Sequence, residues 1–209
     1  MTESARQAIA ILRDPSQFQW TIVPILVIAI YIYNVEIAKK NWKAVLAGLA
    51  FWGMDWFNEI WNALVLHFSG YAPVWGAPGH TSFLILVGLN IEISLMFLMA
   101  GIVAVQGLPE DRDARILGIP NRLFLASLWS AFAVVVEMLL HAAGALTWDY
   151  SWWNVDAPYL IFLFGYMPFF VVAYWVHDMP TIRRQVLTVA AIYVIDVAAL
   201  IVFGVLGWI

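Results

Sequence analysis

The chain has 209 residues, of which 64% are hydrophobic, 11% are charged and 12 are tryptophan, and its formal net charge is −4. Soluble domains carry about 25% charged residues, so this composition predicts a membrane protein whose spans take up nearly the whole chain. The negative net charge excludes a basic surface for nucleic acid. The absence of cysteine excludes disulfides, thiolate metal sites and cysteine nucleophiles.

Residues 1–16 predict a short amphipathic helix on the membrane surface, with Arg6 and Arg13 on its polar side and Pro15 at its end. Six apolar stretches follow, each of a length that can cross a bilayer: residues 20–38, 45–66, 82–106, 122–146, 158–176 and 186–208. Pro168 predicts a kink in the fifth stretch. We therefore expect an all-α, polytopic membrane helix bundle of about six transmembrane helices, forming a single domain over residues 1–209.

The basic residues between the predicted spans lie only in the first, third and fifth loops: Lys39, Lys40, Lys43, Arg112, Arg115, Arg122, Arg183 and Arg184. Cytoplasmic loops carry an excess of Lys and Arg, so this pattern predicts that these loops are cytoplasmic and that both termini are outside. The expected location is the plasma membrane. Glu36, beside the lysines, is expected to be a solvated acid, and His67 and His80 are expected in solvent at the outer boundary.

The second span carries a polar stripe made of Asp55, Asn58, Glu59 and Asn62. Their spacing of three, one and three residues places them on one face of a helix. A carboxylate inside a span is costly, so such a stripe indicates a functional site. The alternative is that these groups only hydrogen-bond neighbouring helices.

Three further spans also carry acids, each near a second polar side chain. Glu92 lies near Asn90 in the third span, Glu137 lies one turn before His141 in the fourth, and Asp196 lies one turn after Tyr193 in the last. At 1.5 Å per residue, Asp55, Glu59, Glu137 and Asp196 lie roughly 18–24 Å from the basic, predicted cytoplasmic ends of their spans. Glu92 lies roughly 15 Å from the predicted outer end at Ser82. The pair Glu137 and His141 fits a proton pair, half of a metal site or a buried ion pair.

Five acids in one layer with no Lys or Arg beside them cannot all be ionised, because each buried charge needs a partner. A neutral carboxylic acid beside a charged one suits acid–base catalysis, a proton relay or metal binding. We predict Glu59, Asp196, Asp55, Glu137 and Glu92 as catalytic candidates. The candidates for substrate binding are Trp52, Trp56, Asn58, Asn62, Asn90, His141 and Tyr193.

Two short motifs resemble the small integral-membrane terpene cyclases of meroterpenoid biosynthesis: Asp55-Trp-Phe-Asn58-Glu59-Ile60 and Gly88-Leu-Asn-Ile91-Glu-Ile93. The resemblance implies essential acids at Glu59 and Asp196 that protonate an epoxide or alkene of a prenylated substrate and guide its cationic cyclisation. Members of that family usually have seven spans, against six predicted here.

The leading hypothesis is an intramembrane enzyme, a lyase or isomerase, that protonates and cyclises or isomerises an isoprenoid-like or lipid substrate. It needs no cofactor and no metal, and its partners are the substrate and membrane lipid. The first alternative is a small proton- or cation-coupled transporter, which at this length would work as a homo-oligomer. The second is a metal-dependent membrane oxidase with ligands at Asp55, Glu59, Glu92, Glu137 and His141.

Overall fold

The structure, a computed structural model, describes residues 1–79 and 81–209, so the position predicted for His80 lies outside the described residues. The chain is mostly helical, as predicted. Its α-helices are α1 (Glu3–Ala10), α2 (Ile22–Ala38), α3 (Trp42–Ser69), α4 (Ile91–Gln106), α5 (Asn121–Ala142), α6 (Pro158–Leu160), α7 (Met167–His177) and α8 (Ile182–Val205). Short antiparallel strands pair β1 (Leu84–Leu86) with β2 (Leu89–Asn90) and β3 (Arg115–Ile116) with β4 (Ile119–Pro120).

Within the described residues, three helical segments are long and apolar enough to cross a membrane: Asn121–Ala142, Pro158–His177 and Ile182–Val205. Helices α2 and α4 are apolar but shorter. Helix α3 has 28 residues and carries the polar stripe. Large apolar side chains are exposed on α8, as Val194 and Val205 illustrate. A surface of this kind fits lipid better than water.

Helix α3 is the centre of the bundle and packs against α4, α7 and α8. Asn41 caps its first turn by accepting a hydrogen bond from the Ala44 amide, and Gly70 ends it in the left-handed conformation with a φ of 59°. The backbones of α3 and α4 touch, because a Cβ on Gly101 would lie 2.8 Å from the Cα of Gly48. Small residues allow such close packing of membrane helices.

The third apolar stretch is not helical throughout, which corrects the predicted span 82–106. Helix α4 begins only at Ile91, where the Asn90 side chain accepts a hydrogen bond from the Ile93 amide at 2.7 Å. The preceding residues form a β-hairpin from β1 and β2. A short apolar run fits a strand or a helix equally well, so the pattern alone could not separate them. Glu92 therefore lies in the first turn of α4, and the depth estimated for it was wrong.

Residues 158–177 form one helical rod that changes its winding part way. Between α6 and α7, residues Ile161–Tyr166 form a π-helical turn, and the Met167 amide donates to the Phe162 carbonyl, five residues back. Pro168 follows directly and has no amide hydrogen to donate to the preceding turn. The observed irregularity is the π-helical turn before Pro168, and the kink predicted at Pro168 itself stays a prediction.

Both termini and two long loops meet at one end of the bundle. The Thr2 amide donates to the Tyr71 carbonyl, Ser4 donates to Asp149 at 2.6 Å, and Trp208 stacks on His67. Helix α1 buries Ala5 and Ala8 against loop and helix residues of the chain. The protein itself covers the side of the helix that carries Ala5 and Ala8, while Ile9 is 41% exposed. The position of this helix on the membrane surface stays a prediction.

The predicted cytoplasmic loops meet at the opposite end. Arg122 forms two hydrogen bonds to Asp178, at 2.9 and 3.0 Å. Glu36 is only 2% exposed and accepts hydrogen bonds from Lys39, Asn41 and Gln106. Its prediction as a solvated acid was wrong, since three neighbouring donors satisfy it inside the bundle.

Candidate active site

A cavity of about 400 Å³ lies among α3, α4, α5 and the helical rod 158–177. Its walls are mostly aromatic and aliphatic, and the aromatic ones are Phe51, Trp75, Phe97, Trp129, Phe132, Trp153, Tyr166, Phe169 and Phe170. Two hydrophobic clusters lie at its ends, one around Phe169 and Phe170 and one around Trp75 and Trp153. The cavity is therefore a mostly apolar chamber inside the bundle.

Three acids line this cavity: Asp55 and Glu59 from α3, and Glu137 from α5. They are 2%, 4% and 6% exposed. Asp55 and Glu59 are one helical turn apart, which turns both toward the chamber, and Glu137 is close enough to Glu59 for their charges to interact. No Lys or Arg is among the described residues of the lining. Acids in such an apolar place without a cation do not all carry charge.

Glu59 is held at one of its two oxygens. Its Oε1 accepts a hydrogen bond from the indole Nε1 of Trp75 at 2.8 Å, and its Oε2 has no hydrogen-bond partner among the described residues. Asp55 likewise has an unpartnered Oδ2. A buried oxygen without a partner is costly and needs an explanation, and a catalytic role is one. Glu59 thus combines a fixed orientation with an available oxygen.

Asn62 and Gly88 build the frame around Glu59. Asn62 is fully buried; its Nδ2 donates to the Trp75 carbonyl at 2.7 Å, and its Oδ1 accepts from the Val74 amide at 2.7 Å. Gly88 sits at the tip of the β1–β2 hairpin, where a Cβ would lie 2.6 Å from Glu59 Oε2. The hairpin therefore approaches Glu59 so closely because residue 88 has no side chain. Asn62 positions the segment that carries Trp75.

Tyr166 joins the acids of α3 to the acid of α5. It lines the cavity at the end of the π-helical turn, and its hydroxyl lies beside Glu137 and near Asp55 and Glu59. Its ring stacks on Phe97, with centroids 6.3 Å apart. π-helical turns occur frequently at functional sites. The change of winding in the rod is what places this hydroxyl among three carboxyl groups.

The predicted pair Glu137 and His141 is not an ion pair. His141 Nδ1 lies 3.0 Å from the Leu146 carbonyl, and its ring stacks on Trp148 with centroids 4.3 Å apart. Glu137 instead faces Tyr166 and Trp148. His141 therefore fixes the loop after α5, and Glu137 belongs to the cavity.

Asp196 packs on α3 from α8 and is not among the residues that line the cavity. Both of its oxygens lack a hydrogen-bond partner among the described residues, and Oδ2 lies 3.7 Å from the place a Cβ would take on Gly53. It is close enough to Asp55 for their charges to interact. Glu59 lines the cavity and Asp196 does not. The two acids that the resemblance pairs are therefore not brought together in this cavity.

The remaining predicted residues have varied positions. Asn58 lines the cavity. Trp52 donates to Ser94 at 2.9 Å and Tyr193 donates to the Leu49 carbonyl at 2.9 Å, both outside the cavity. Trp56 packs with Leu86 and Leu89.

Asn90 and Glu92 hold the chain around the start of α4. Asn90 caps the helix, and Glu92 accepts hydrogen bonds from the Thr81 hydroxyl and the Ser82 amide, both at 2.6 Å. Both residues therefore have structural partners outside the cavity.

The cavity has an exposed apolar rim on two helices. Met96 and Val103 of α4 are each 43% exposed, and Phe132 of α5 is 59% exposed, while all three line the cavity. The chamber therefore opens sideways between α4 and α5, in the direction where lipid would lie. In the part of the chain that the structure describes, no three His, Asp or Glu side chains cluster closely enough to hold a metal ion.

Fold and site together define a helical membrane protein with an acid-lined apolar cavity. The chain belongs to an uncharacterized membrane protein family, whose model matches residues 2–205. A protein of Archaeoglobus fulgidus is 59% identical over 209 residues, which is 100% of this chain and 99% of that protein. A second protein of the same organism is 55% identical over 53 residues, 25% of this chain and 95% of its own length. No solved structure matches the chain.

Sequence reasoning did not find Tyr166 or Trp75, and it named Gly88 only as the first residue of a motif. Tyr166 is one of three tyrosines in the apolar stretch 158–176, which was the available signal. Trp75 lies in a loop, and the role of Gly88 depends on a hairpin that the sequence did not reveal.

Proposed function

We propose that this protein is an intramembrane acid–base enzyme that acts on an uncharged, isoprenoid-like hydrocarbon. The observation that supports this most is one apolar cavity that presents Asp55, Glu59 and Glu137 beside the Tyr166 hydroxyl, with no cation in its described lining. The finer part of the proposal, a reaction like that of the integral-membrane terpene cyclases, rests on the motif around Glu59. The reaction class is that of an isomerase or lyase.

The chemistry needs one neutral and one charged carboxyl group. The neutral acid transfers its proton to an alkene carbon or an epoxide oxygen, which leaves a carboxylate and a carbocation. The carbocation is attacked by another double bond of the same molecule or shifts its position. A carboxylate then removes a proton from a neighbouring carbon, so that a double bond forms. Where the donor and the acceptor are different carboxyl groups, this proton returns from the acceptor to the donor before the next turnover. No redox step and no added reactant is needed.

Glu59 is the proposed proton donor because its Oε2 has no partner and its Oε1 is fixed by Trp75. Glu137, across the chamber, is the proposed proton acceptor, and Tyr166 connects the two. The aromatic walls stabilise positive charge through their π faces, and the apolar chamber keeps water away from the carbocation. Asp55 lies one helical turn before Glu59 on α3, and we propose that it holds a proton when Glu59 is ionised.

The charge of the lining residues favours a substrate whose reacting end is uncharged. Three acids would repel a phosphate or carboxylate, and no cation in the described lining would bind one. The sideways opening between α4 and α5 suits a molecule that arrives from the lipid phase. A prenyl chain with a terminal alkene or epoxide has both properties.

A second candidate is a proton-coupled transporter, and Asp196 favours it. This acid is 3% exposed, has two unpartnered oxygens, and lies near Asp55 on the far side from the cavity. Acids on two sides of one helix suit a proton path across α3. Proton flux into liposomes that stops in Asp196→Asn, without any chemical product, would support this candidate.

We also propose six spans in the plasma membrane, formed by α2, α3, α4, α5, the rod 158–177 and α8, with both termini outside. The support is that the termini meet at one end, while Arg112, Arg122 and Lys39 lie at the other.

The test uses purified protein in lipid nanodiscs in D₂O, with a panel of polyprenols and their terminal epoxides as probes. We expect a cyclised or isomerised product, also in the presence of a strong chelator. The product of an alkene should carry deuterium on carbon, and the product of an epoxide should carry a new hydroxyl group. Glu59→Gln should lower the rate by at least about a hundredfold, the scale of lost general acid catalysis.

The matched control is Glu36→Gln, a buried acid outside the cavity, which should keep its activity per folded molecule. Equal rates for Glu59→Gln and the wild type would reject the proposal.

A further inference from the structure

A second cavity of about 400 Å³ lies at the basic end of the bundle, between α7, α8 and the loop before α5. Its polar lining includes Arg112, Arg184 and Thr188, and its apolar lining includes Trp175 and Leu187. It shares no lining residue with the acid-lined chamber. Nothing in the proposed reaction uses it.

The positive charge of this cavity is only partly neutralised. Asp178 also lines it, but this acid is engaged by Arg122 through two hydrogen bonds and by His177 Nδ1 at 3.0 Å. Burial would raise the pKa of Asp178, yet the hydrogen bonds and the charge of Arg122 outweigh burial and hold that pKa below its usual value. Asp178 is therefore held mainly by Arg122 and His177, and of the two lining arginines it pairs only with Arg112, at 3.5 Å.

The two lining arginines are engaged to different degrees, and neither forms a short hydrogen bond to an acid in the described residues. Arg112 approaches Asp178 only to 3.5 Å, and its side chain is 68% exposed. The Arg184 side chain is exposed and has no hydrogen bond or ion pair among the described residues. The Thr188 hydroxyl has only the sulfur of Met179 as acceptor, at 3.7 Å, which is a weak one. Two guanidinium groups and a hydroxyl thus face one space.

The other half of the cavity is apolar and open. Trp175 is 57% exposed on α7, and Leu187 is 59% exposed on α8. Both helices belong to segments apolar enough to cross a membrane. Tryptophan beside arginine is typical of the boundary between headgroups and acyl chains. The cavity therefore joins a cationic side to a side that fits hydrocarbon.

We propose that this cavity binds the phosphate-bearing headgroup of an anionic membrane lipid. Arg112 and Arg184 pair with the phosphate oxygens, since a guanidinium group matches phosphate geometry with two parallel hydrogen bonds, and Thr188 donates a third contact. The first carbons of the lipid chain lie on Trp175 and Leu187. A free phosphate ion would use only the cationic side and leave these apolar groups in water, so the lipid is the better ligand.

The test is native mass spectrometry of the full chain in detergent, titrated with dioleoyl phosphatidic acid or dioleoyl phosphatidylcholine. We expect phosphatidic acid to bind at least about tenfold more tightly, the scale of one or two charge-assisted hydrogen bonds. Arg184→Gln should remove about tenfold of this affinity. The matched control, Arg183→Gln, changes the same charge one residue away and outside the lining, and it should keep the wild-type affinity.

Thr188→Val provides a variant that keeps every charge, and it should weaken phosphatidic acid binding while size-exclusion profiles stay unchanged. Equal losses in Arg183→Gln and Arg184→Gln would show diffuse surface attraction and overturn the proposal. Displacement of the lipid by millimolar inorganic phosphate would assign the site to a free anion and overturn it as well. Retention of full binding in both Arg184→Gln and Thr188→Val would do the same.

Discussion

Trp75 donates its indole hydrogen to Glu59 Oε1 over 2.8 Å and so binds a loop residue to an acid in the middle of α3. The bond fixes one oxygen of Glu59 and leaves Oε2, beside Gly88, without a hydrogen-bond partner among the described residues. Asn62 holds the backbone of Trp75 on the same helix face. Within the polar stripe of α3, Glu59 is thus the residue proposed for chemistry. Asn62 positions Trp75, the hydrogen-bond partner of Glu59.

Trp75→Phe tests this bond, because phenylalanine keeps an aromatic wall and removes only the donor. We expect turnover of the polyprenyl probes to fall about tenfold, the scale of one hydrogen bond to a charged group. The control is Trp61→Phe, since Trp61 lies 6.1 Å from Trp75 between ring centroids and is 44% exposed. A loss of the same size in the control would assign the effect to ring packing.

Tyr166→Phe removes the hydroxyl between the acids of α3 and α5 and keeps the ring against Phe97. We expect turnover to fall by about ten- to a hundredfold, at the lower end of the range for general acid–base groups. Tyr174→Phe is the control, because its hydroxyl donates only to the Ala104 carbonyl, at 3.4 Å. Wild-type turnover in Tyr166→Phe would remove this residue from the mechanism.

Gly88→Ala should push the hairpin away from Glu59, because the new Cβ would lie 2.6 Å from Glu59 Oε2. We expect the free energy of unfolding to fall by about 1–3 kcal/mol, as for other overpacked sites. Gly204→Ala in α8 meets nothing within 4 Å and should raise it by about 0.5–1 kcal/mol. Thermal unfolding in detergent measures both, and equal melting temperatures would contradict the close approach.

Asp178 predicts a pH dependence of stability. Its pKa in the folded protein lies below the usual value of about 3.9, because Arg122 and His177 favour the charged form. Its contribution is therefore fully present above about pH 4 and is lost as the pH falls through the folded pKa. At pH 7 we expect Asp178→Asn to lower the free energy of unfolding by about 1–3 kcal/mol.

The difference between this variant and the wild type should shrink as the pH falls below about 4. Asp113→Asn, at an exposed loop acid, should match the wild type throughout. A difference between Asp178→Asn and wild type that stays constant from pH 7 to pH 3 would contradict the assigned ion pair.

The proposed orientation is testable with single cysteines, since the chain has none of its own. A cysteine at exposed Ser151 should react with an impermeant thiol reagent in intact cells, and one at exposed Asp113 should react only after the membrane is permeabilised. Gly76 is unsuitable, because a Cβ there would lie 2.8 Å from Thr147 Oγ1. Labelling of Asp113 in intact cells would reverse the proposed orientation.

The helix period was enough to predict that Asp55, Asn58 and Glu59 face one side, and the structure places all three in the cavity lining. Depth along a helix was also predictable, but rotation about the axis relative to other helices was not. Asp196 and Glu137 had similar predicted depths, yet only Glu137 faces the chamber. Which acid joins Glu59 is decided by the packing of α5 and α8 around α3.

The hairpin before α4 and the hydroxyl of Tyr166 escaped prediction for a different reason. Strand β1 is apolar throughout and β2 has only two residues, so no alternation is visible, and the turn between them lies against Asn62 and Glu59, far away in sequence. The π-helical turn likewise leaves no period in the sequence. Both features are set by tertiary packing.

The winding of the rod 158–177 has a consequence for chain length. A π-helical turn holds more residues than the α-helical turn it replaces, so deletion of one residue, such as Phe164, would let the rod return to regular winding. Regular α-helical winding with no residue removed would instead turn Tyr166 by about 100° around the helix axis relative to α6, out of the chamber. The direction of this hydroxyl therefore depends on the number of residues in the turn as well as on the identity of residue 166.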